Sequence, residues 1–558
     1  MELQLVVDGL LTVALLWFLF KKLFFPHPIP GIPYDKEAAK RLSGDRPSIT
    51  AAVREFMEFS YPIGRRSLKF GSPIHQLFMN PFTKPWVYVD DPREVSDIVL
   101  HRNTQFDKNI SVGVWQTLTP NATIAKQTTP EWKAQRKIWQ DTMHPDFLRR
   151  VVSKRLYAAA KDLLKLWQVR RSLSAGNPID VRGDFSFAAL EAIWTAAFGE
   201  RLDLIDAKIE MIETGKQIKT KGLDMHTTVE YINTLSALWA GSFWPAFTRW
   251  RLLRSKEYRE YTRGRNQEVD RILRDATARF QQVLNGSGDG EEHDTCAMDL
   301  VLRRSMLAAQ KAGKPVPDPT KDVKMRDELL LFIYAGHDTT ATSLSWFVKF
   351  IAHNQEAQTK LREALRSAFS GPSIPPVEDL ISAEIPYLEA TMQETLRCGG
   401  TAGRVMRMAT VDTEILGHKI PAGTEIGAIA ATKWFPAPVP EESRSATSRA
   451  AVEKNGGLDW THSPSAQDLE QFLPERWLKI DEKGGEIFDA GALPQNAFGG
   501  GPRGCFGRRL AMMELRIMIT LTVMSFKFLP LPPELDNFQA TELLLRQPRQ
   551  CFVKLETA

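Results

Sequence analysis

The sequence predicts a mainly α-helical protein with minor β structure, placed behind one apolar N-terminal helix. Helical patterns dominate from Arg93 onward, and the clearest, Asp327–His353, is long, apolar and free of proline. Strand signals are few and short, as in residues 86–89 and 414–416. The third observation is an almost unbroken apolar run over residues 3–20.

Composition is typical of a folded globular protein with nearly balanced charge. Of the 558 residues, 43% are hydrophobic and 25% are charged, which is enough apolar material for a substantial core. The 72 basic and 67 acidic residues leave a formal net charge of +5, so nucleic-acid binding is not expected. Length alone favours about three or four domains, but the continuous helical pattern favours one large domain.

The N-terminal run has the properties of a membrane anchor. As a helix, residues 3–20 would cover about 27 Å, close to the ~30 Å hydrocarbon thickness of a bilayer. A cleaved secretory signal is disfavoured, because the chain begins with Glu2 rather than lysine and bulky phenylalanines follow the run. Lys21 and Lys22 follow the span and place its C-terminal side in the cytosol. We predict a transmembrane anchor over residues 3–25.

The rest of the chain divides into a linker and one domain. Residues 26–34 are rich in proline, which fixes φ and removes backbone donors, so a stiff, non-helical linker is predicted. Residues 35–558 form the predicted globular domain. Within it, polar stretches with glycine or proline predict surface loops over residues 284–324 and 437–470. Residues 417–424 predict a strand, a turn and a second strand.

One of the four cysteines has unusual surroundings. Cys296, Cys398, Cys505 and Cys551 are too widely spaced for a disulfide framework or a zinc site. Cys505, however, lies in FGGGPRGCFG, residues 498–507, which lets the backbone approach another group closely. A predicted helix, Arg508–Phe526, follows, and its N-terminus favours a thiolate. A single thiolate suits haem iron, because the porphyrin supplies four nitrogens.

Four further motifs occur elsewhere in the chain. Each is weak alone, since most ExxR pairs are solvated surface pairs and most buried threonines only pack. The motifs are WxxxR at Trp132 and Arg136, AGHDTT at residues 335–340, ExxR at Glu394 and Arg397, and PERW at residues 474–477.

With the pattern FxxGxRxCxG from Phe498 to Gly507, these motifs resemble the cytochrome P-450 superfamily of haem-thiolate monooxygenases, in the family's order. The resemblance extends from about Pro26 to the C-terminus. It implies a cytochrome P-450 fold behind the predicted transmembrane helix. It also implies haem b (iron protoporphyrin IX) as cofactor, with Cys505 as the iron ligand.

The resemblance also implies roles for other residues. Asp338 would relay protons, and Thr339 would bond to a backbone carbonyl and hold a water beside bound oxygen. Gly336 would leave space over the haem for O2. Glu394, Arg397 and Arg476 would form a structural triad that supports the cysteine loop. The remaining cofactor-binding residues would be Phe498 in the loop and, as propionate partners, Trp132, Arg136, Arg407 and Arg503; Arg404 competes with Arg407.

Two segments depart from the family pattern. The prolines that usually follow ExxR are replaced by Cys398–Gly403 (CGGTAG), which implies a flexible or enlarged wall near the substrate. The predicted 437–470 loop is longer than the family norm. His337, at the variable position of the oxygen segment, is either a pocket residue or a polar helix residue.

The resemblance implies several partners. No flavin or dinucleotide fingerprint follows a strand, so electrons would come from a membrane-bound NADPH-cytochrome reductase. Arg503, Arg508 and Arg509 near the cysteine would favour an acidic docking face on it. O2 and a lipophilic small molecule that partitions into the bilayer would be the substrates. The expected location is the endoplasmic reticulum membrane, single-pass, with the catalytic domain in the cytosol.

Three functions are compatible with these motifs. The first is a monooxygenase that hydroxylates, epoxidises or desaturates its substrate; the anchor and linker resemble fungal microsomal enzymes of secondary metabolism. The second is a haem-thiolate isomerase or dehydratase that needs no O2, and the third is a non-enzymatic membrane haem sensor. Asp338 and Thr339 favour the first, because neither alternative needs proton delivery to oxygen.

Overall fold

The structure is a computed structural model that describes all residues except 1, 80–82, 109–112, 241, 243, 285–293, 316–317, 370–373, 430–437 and 455–466. For residues 2–9, 240 and 282–284 only the backbone is described.

α-Helices dominate the described residues, as predicted. Their bounds are α1 Glu2–Phe24, α2 Lys36–Ala39, α3 Arg46–Phe56, α4 Ser60–Phe70, α5 Pro92–Leu100, α6 Val114–Leu118, α7 Pro130–Trp139, α8 Pro145–Phe147, α9 Ser153–Leu173, α10 Arg182–Phe198, α11 Leu204–Thr214, α12 Lys221–Ala240, α13 Pro245–Arg254, α14 Lys256–Leu284, α15 Ala297–Lys311, α16 Val323–His353, α17 Gln355–Ala368, α18 Val377–Ser382, α19 Pro386–Gly399, α20 Ala446–Lys454 and α21 Arg508–Ser525.

The strands are short, which confirms the prediction of minor β structure. They are β1 Ile74–Leu77, β2 Trp86–Val89, β3 Phe106–Asp107, β4 Ile179–Asp180, β5 Arg404–Ala409, β6 Thr413–Ile415, β7 His418–Ile420, β8 Glu425–Ile429, β9 Leu478–Ile480, β10 Glu486–Phe488, β11 Phe526–Leu529, β12 Ala540–Glu542, β13 Arg546–Pro548 and β14 Phe552–Thr557. β6 and β7 pair antiparallel around the turn at Leu416 and Gly417.

The long helix predicted from Asp327 is α16, and it begins four residues earlier. Asp322 caps it, because its carboxylate accepts from the N–H groups of Lys324 (2.9 Å) and Met325 (3.1 Å). With 31 residues the helix is about 46 Å long.

The predicted surface loop over residues 284–324 is wrong in its middle. Residues 297–311 form α15, and its Leu300, Leu302 and Met306 side chains are buried. Polar residues are frequent in this stretch, so the apolar face of the helix was not recognised from the sequence. Residues 285–293 and 316–317 lie outside the described part of the chain.

The chain forms two compact units, and the smaller comprises Met1–Asn109, Gly403–His462 and Gly499–Gly504. Its main sheet has the order β1-β2-β8-β5-β3, with β2 and β8 parallel and the other neighbours antiparallel. The predicted linker packs here, because Ile29 and Ile32 belong to the core of this unit. Gln76 fixes the linker, since its amide bonds with the backbone of both isoleucines at 2.8–2.9 Å.

The insertion over residues 437–470 is not simply a loop. Its described part includes α20, and Arg444 forms a bidentate pair with Asp91 at 2.9 and 3.0 Å. Both side chains are buried. Residues 437 and 455–466 lie outside the described chain.

The larger unit comprises Ile110–Ala402, Ser463–Phe498 and Cys505–Ala558. α9, α10, α16 and α21 contribute nearly half of its buried hydrophobic core. α19 begins at Pro386, where proline costs no helical hydrogen bond, and ends at Gly400 with φ 57°. These helices position the motif residues described below.

Helix α1 carries exposed apolar side chains, with Leu10 66%, Leu16 60% and Phe18 61% exposed. Among the residues whose side chains are described, no helix is long and apolar enough to cross a membrane. The transmembrane anchor predicted over residues 3–25 is therefore not confirmed, and the side chains of residues 3–9 lie outside the description.

Candidate active site

Cys505 lies just before the N-terminus of α21 in the larger unit. Its backbone N–H donates to the Phe498 carbonyl at 2.8 Å. The helix begins three residues later at Arg508, whose guanidinium lies 5.7 Å from the centre of the Phe498 ring. The Cys505 side chain is exposed, although protein atoms surround much of it.

Opposing effects act on the Cys505 thiol. Burial raises its pKa above the ordinary value, whereas the Gly507 N–H and the charges of Arg136 and Arg508 lower it. The expected effect of the helix N-terminus is therefore present but smaller than the cost of desolvation. Coordination to a metal ion deprotonates a thiol outright, which overcomes this cost.

Glycines 500 and 501 allow close packing within the smaller unit. A Cβ at Gly501, where φ is 62°, would lie 2.2 Å from the Val99 carbonyl oxygen. A Cβ at Gly500 would lie 2.8 Å from Leu100 Cδ2. The element that these glycines approach is helix α5. Their first role is therefore to let this part of the loop pack against that helix.

Three cations lie close together in the smaller unit. Arg407 on β5 and Arg503 in the glycine loop were predicted from sequence, and Lys108 joins them. Burial and the two arginines lower the pKa of Lys108 to about 7, against the charge of Asp107. Such mutual repulsion favours an anionic ligand. Arg404, the competitor of Arg407, stacks 4.5 Å from the centre of the Phe59 ring.

The WxxxR pair lies on α7 in the larger unit. The Arg136 guanidinium stacks 5.3 Å from the centre of the Trp132 ring and 4.9 Å from that of Phe506. The Trp132 indole N–H donates to the Thr123 carbonyl at 3.0 Å. Arg136 thus lies between the motif tryptophan and the residue that follows the cysteine.

The oxygen segment has the predicted local geometry. Thr339 Oγ1 donates to the Ala335 carbonyl at 2.7 Å, as the sequence suggested. Asp338 is buried, and its Oδ1 accepts from Gln547 Nε2 at 2.8 Å. Burial, helped by the charge of Glu230, raises the pKa of Asp338 to about 7. A carboxyl group with this pKa exchanges protons readily near neutral pH.

Gly336 packs closely against a neighbouring helix, and its role in making room for O2 stays a prediction. A Cβ there would lie 2.7 Å from Ile193 Cγ1 and 2.8 Å from Ile193 Cδ1. Ile193 belongs to α10, which packs along α16. The space beside Gly336 is therefore used for helix packing.

Glu394, Arg397 and Arg476 meet as predicted. Glu394 accepts from Arg397 at 2.7 and 2.8 Å and from Arg476 Nε at 2.9 Å. Trp477 Nε1 (2.9 Å) and the Leu473 N–H (2.8 Å) also donate to Glu394. Burial raises the pKa of Glu394, but these donors and charges outweigh it, so the net shift is downward.

The segment after ExxR is held in place rather than flexible. Residues 398–401 are buried. Arg546 Nη1 donates to the Gly399 carbonyl at 2.8 Å, and the Arg546 N–H donates to the Thr401 carbonyl at 3.0 Å. Gly399 also packs against the Trp346 ring, where a Cβ would lie 3.1 Å from two ring atoms.

The sequence profile of the cytochrome P450 family matches residues 67–432 and 467–555. This chain belongs to the cytochrome P450 family. The match omits residues 433–466, which overlap most of the segment 437–470 that the sequence marked as unusually long. Cytochromes P450 hold haem b through a cysteine thiolate, so haem b is the cofactor of this chain.

Three relatives that match over nearly their full length are fungal. The chain is similar to the cytochrome P450 monooxygenase GME11363 of Pestalotiopsis microspora, with 32% identity over 99% of this chain and 97% of the relative. The cytochrome P450 monooxygenase TRI13 of Fusarium sporotrichioides is 30% identical, with 98% of both chains covered. The cytochrome P450 monooxygenase xilC of Penicillium crustosum is 28% identical over 98% of this chain and 96% of the relative.

The donor set of this cytochrome P450 fits haem b. In the smaller unit, the charges of Lys108, Arg407 and Arg503 suit a propionate. In the larger unit, a solvent-accessible cysteine lies at a helix N-terminus, as a haem-iron ligand requires. Sequence reasoning missed Lys108 and Gln547. Neither lies in a motif, and Gln547 is 209 residues from the Asp338 that it contacts.

Proposed function

We propose that this cytochrome P450 is a monooxygenase that hydroxylates, epoxidises or desaturates a lipophilic small molecule, with Cys505 as its iron ligand. The observation that carries the proposal is Asp338, the residue before Thr339. Its carboxyl group is buried and has a pKa of about 7. Haem b supplies oxygen activation when bound. The protein's part is to deliver protons, which an isomerase or a haem sensor does not require.

The polar side chains of α16 support proton delivery. Gln547 bonds one Asp338 oxygen, while the other, Oδ2, is buried without a protein partner in the described chain. Asp338 can therefore accept or release a proton at Oδ2 while Gln547 fixes its orientation. The Thr339 hydroxyl donates its hydrogen to the Ala335 carbonyl, so its oxygen lone pairs remain available to accept from a water.

We assign the haem propionates to the cations already described. Arg407, Arg503 and Lys108 supply one cluster, and Arg136 beside Trp132 supplies another. Phe498 contributes its ring and the carbonyl that accepts from the Cys505 N–H. Glu394, Arg397 and Arg476 act as the structural triad.

We further propose that residues 3–25 anchor the enzyme in the endoplasmic reticulum membrane, with the catalytic domain in the cytosol. The exposed apolar side chains of α1, followed by Lys21 and Lys22, support this proposal. On α13, Phe247 and Trp250 are 56% and 52% exposed, which is consistent with a membrane surface nearby. A lipophilic substrate would then enter from the bilayer.

Electrons are proposed to come from an NADPH-cytochrome reductase. Arg508 and Arg509 at the start of α21 are exposed, and they suit an acidic docking surface. The fungal origin of the full-length relatives supports a role in fungal secondary metabolism.

The first experiment is the carbon monoxide difference spectrum of the reduced full-length protein in microsomes. Wild type should show the strongly red-shifted Soret band of thiolate-ligated haem, and Cys505→Ala should lose it. Cys296→Ala, which changes a buried cysteine outside the loop, should keep it. A thiolate spectrum that survives in Cys505→Ala would exclude this residue as the ligand.

The second experiment measures coupling of NADPH oxidation to product in Thr339→Ala. Ser345→Ala is the matched control, because Ser345 Oγ donates to its own i−4 carbonyl, Ala341, at 2.8 Å on the same helix. We expect uncoupling only in the Thr339 variant. Turnover of the substrate without O2 and NADPH would instead support the isomerase or dehydratase function.

A further inference from the structure

Four polar side chains on three helices of the larger unit converge at one point. Ser186 lies on α10, His226 and Glu230 lie on α12, and His337 lies on α16. His226 and Glu230 are four residues apart, so they share a helix face. His337 is fully buried, and the mechanism proposed above does not use it.

Ser186 Oγ lies within 3.2 Å of an atom of each of the other three side chains. Ser186 Oγ lies 2.9 Å from His226 Nε2, 3.0 Å from His337 Nε2 and 3.2 Å from Glu230 Oε1. Glu230 Oε1 lies 3.4 Å from His337 Nε2 and 3.8 Å from His226 Nε2. The two histidine nitrogens lie within 4.8 Å of each other.

These distances suit a small tetrahedral cation. Zinc binds histidine nitrogen and carboxylate oxygen at about 2.0–2.2 Å, which places ligand atoms of a regular tetrahedron roughly 3.3–3.5 Å apart. Of the five measured distances, the three to Ser186 Oγ are shorter than this range, one lies within it and one is longer. Two imidazoles and a carboxylate are also among the usual ligands of zinc.

We propose that His226, Glu230 and His337 bind one Zn²⁺ ion, with the Ser186 hydroxyl at the fourth position. The other ring nitrogen of His337, Nδ1, has no partner among the described residues, so Nε2 makes the polar contacts of this ring. The ion would join α12 to α16 at the residue before Asp338. The competing arrangement contains no metal: both imidazole N–H groups donate to Ser186 Oγ, which donates to Glu230.

The test uses tag-free, haem-loaded, full-length protein. The protein is stripped with a chelator, dialysed against a low concentration of Zn²⁺, and analysed for zinc and iron by mass spectrometry. We expect about one zinc per chain in wild type and at least tenfold weaker binding in His226→Gln and Glu230→Gln. The control is His353→Gln, which removes a histidine on α16 that lies 2.7 Å from Asp536, and it should bind zinc like wild type.

Folding of each variant is checked by its haem absorbance. His226 and Glu230 are half-buried, so both substitutions can be accommodated. Zinc should also raise the Tm of wild type and of the His353 control but not that of the two site variants. Wild type that binds no zinc, or site variants that bind it as tightly as wild type, would overturn the proposal; the first result would favour the metal-free arrangement.

Discussion

Gly336→Ala distinguishes a packing role for this glycine from a role in making room for O2. The added methyl would lie 2.7 and 2.8 Å from two carbons of Ile193, whereas carbon atoms in contact prefer about 3.5–4.0 Å. Ile193 is 1% exposed, so it cannot swing into solvent. Overpacking of this kind costs about 1–3 kcal/mol, and replacing glycine within a helix returns up to ~1 kcal/mol. We therefore expect a net loss of stability of up to ~2 kcal/mol.

The assay is unfolding followed by haem absorbance and circular dichroism, with a double-mutant cycle. Ile193→Ala removes both clashing carbons and leaves a Cβ at 3.5 Å, an ordinary contact. Ile193→Ala alone should cost roughly 2–5 kcal/mol, and adding Gly336→Ala to it should restore part of that loss. The coupling energy should be about 1 kcal/mol or more.

Gly264→Ala on α14 is the control, because nothing lies within 4 Å of a Cβ built there. Gly264→Ala should leave the free energy of unfolding unchanged or increase it. Comparison with Gly336→Ala then separates the cost of the clash from the gain in helix propensity. If Gly336→Ala kept full stability but weakened binding of carbon monoxide to the reduced haem, the packing argument would be refuted. The sequence-based interpretation of Gly336 would then be right.

Three further predictions concern buried charge. Glu394→Gln leaves Arg397 and Arg476 without a counter-charge and should cost about 3–5 kcal/mol, measured as loss of folded, haem-containing protein. Burial raises the pKa of Glu514 to about 8, so its stabilising contribution is complete below the unfolded-state pKa near 4.5 and disappears as pH rises through 8. Glu514→Gln should therefore abolish that part of the fall in Tm between pH 5 and pH 9. Lys108→Met should accelerate haem transfer to apomyoglobin by roughly 10- to 100-fold, because a charged hydrogen bond contributes about 1.5–3 kcal/mol.

Each of these predictions has a result that would contradict it. Unchanged stability of Glu394→Gln would mean that the arginines find other partners. Parallel Tm curves for Glu514→Gln and wild type would mean that Glu514 titrates normally. Haem loss from Lys108→Met at the wild-type rate would remove Lys108 from the propionate cluster.

The sequence predicted features whose cause is local, and it missed those that depend on distant contacts. The contacts among Glu394, Arg397 and Arg476 follow from short motifs, and so does the bond from Thr339 to Ala335. Lys108 gains its importance only from Arg407 and Arg503, which lie about 300 and 400 residues further along the chain. The packing of Ile29 and Ile32 likewise depends on a sheet formed by later segments, so the prolines alone predicted a stiff linker without these contacts.

The ion pair between Arg444 and Asp91 has a consequence for protein engineering. Residues 433–466 fall outside the family profile, so they would be a natural choice for deletion in the design of a shorter, more soluble enzyme. Removing them all would also remove Arg444 and leave the buried carboxylate of Asp91, the cap of α5, without its cation. Such a loss costs about 3–5 kcal/mol. A safe truncation therefore starts beyond α20, and grafting this segment onto a relative requires an aspartate at the position of Asp91.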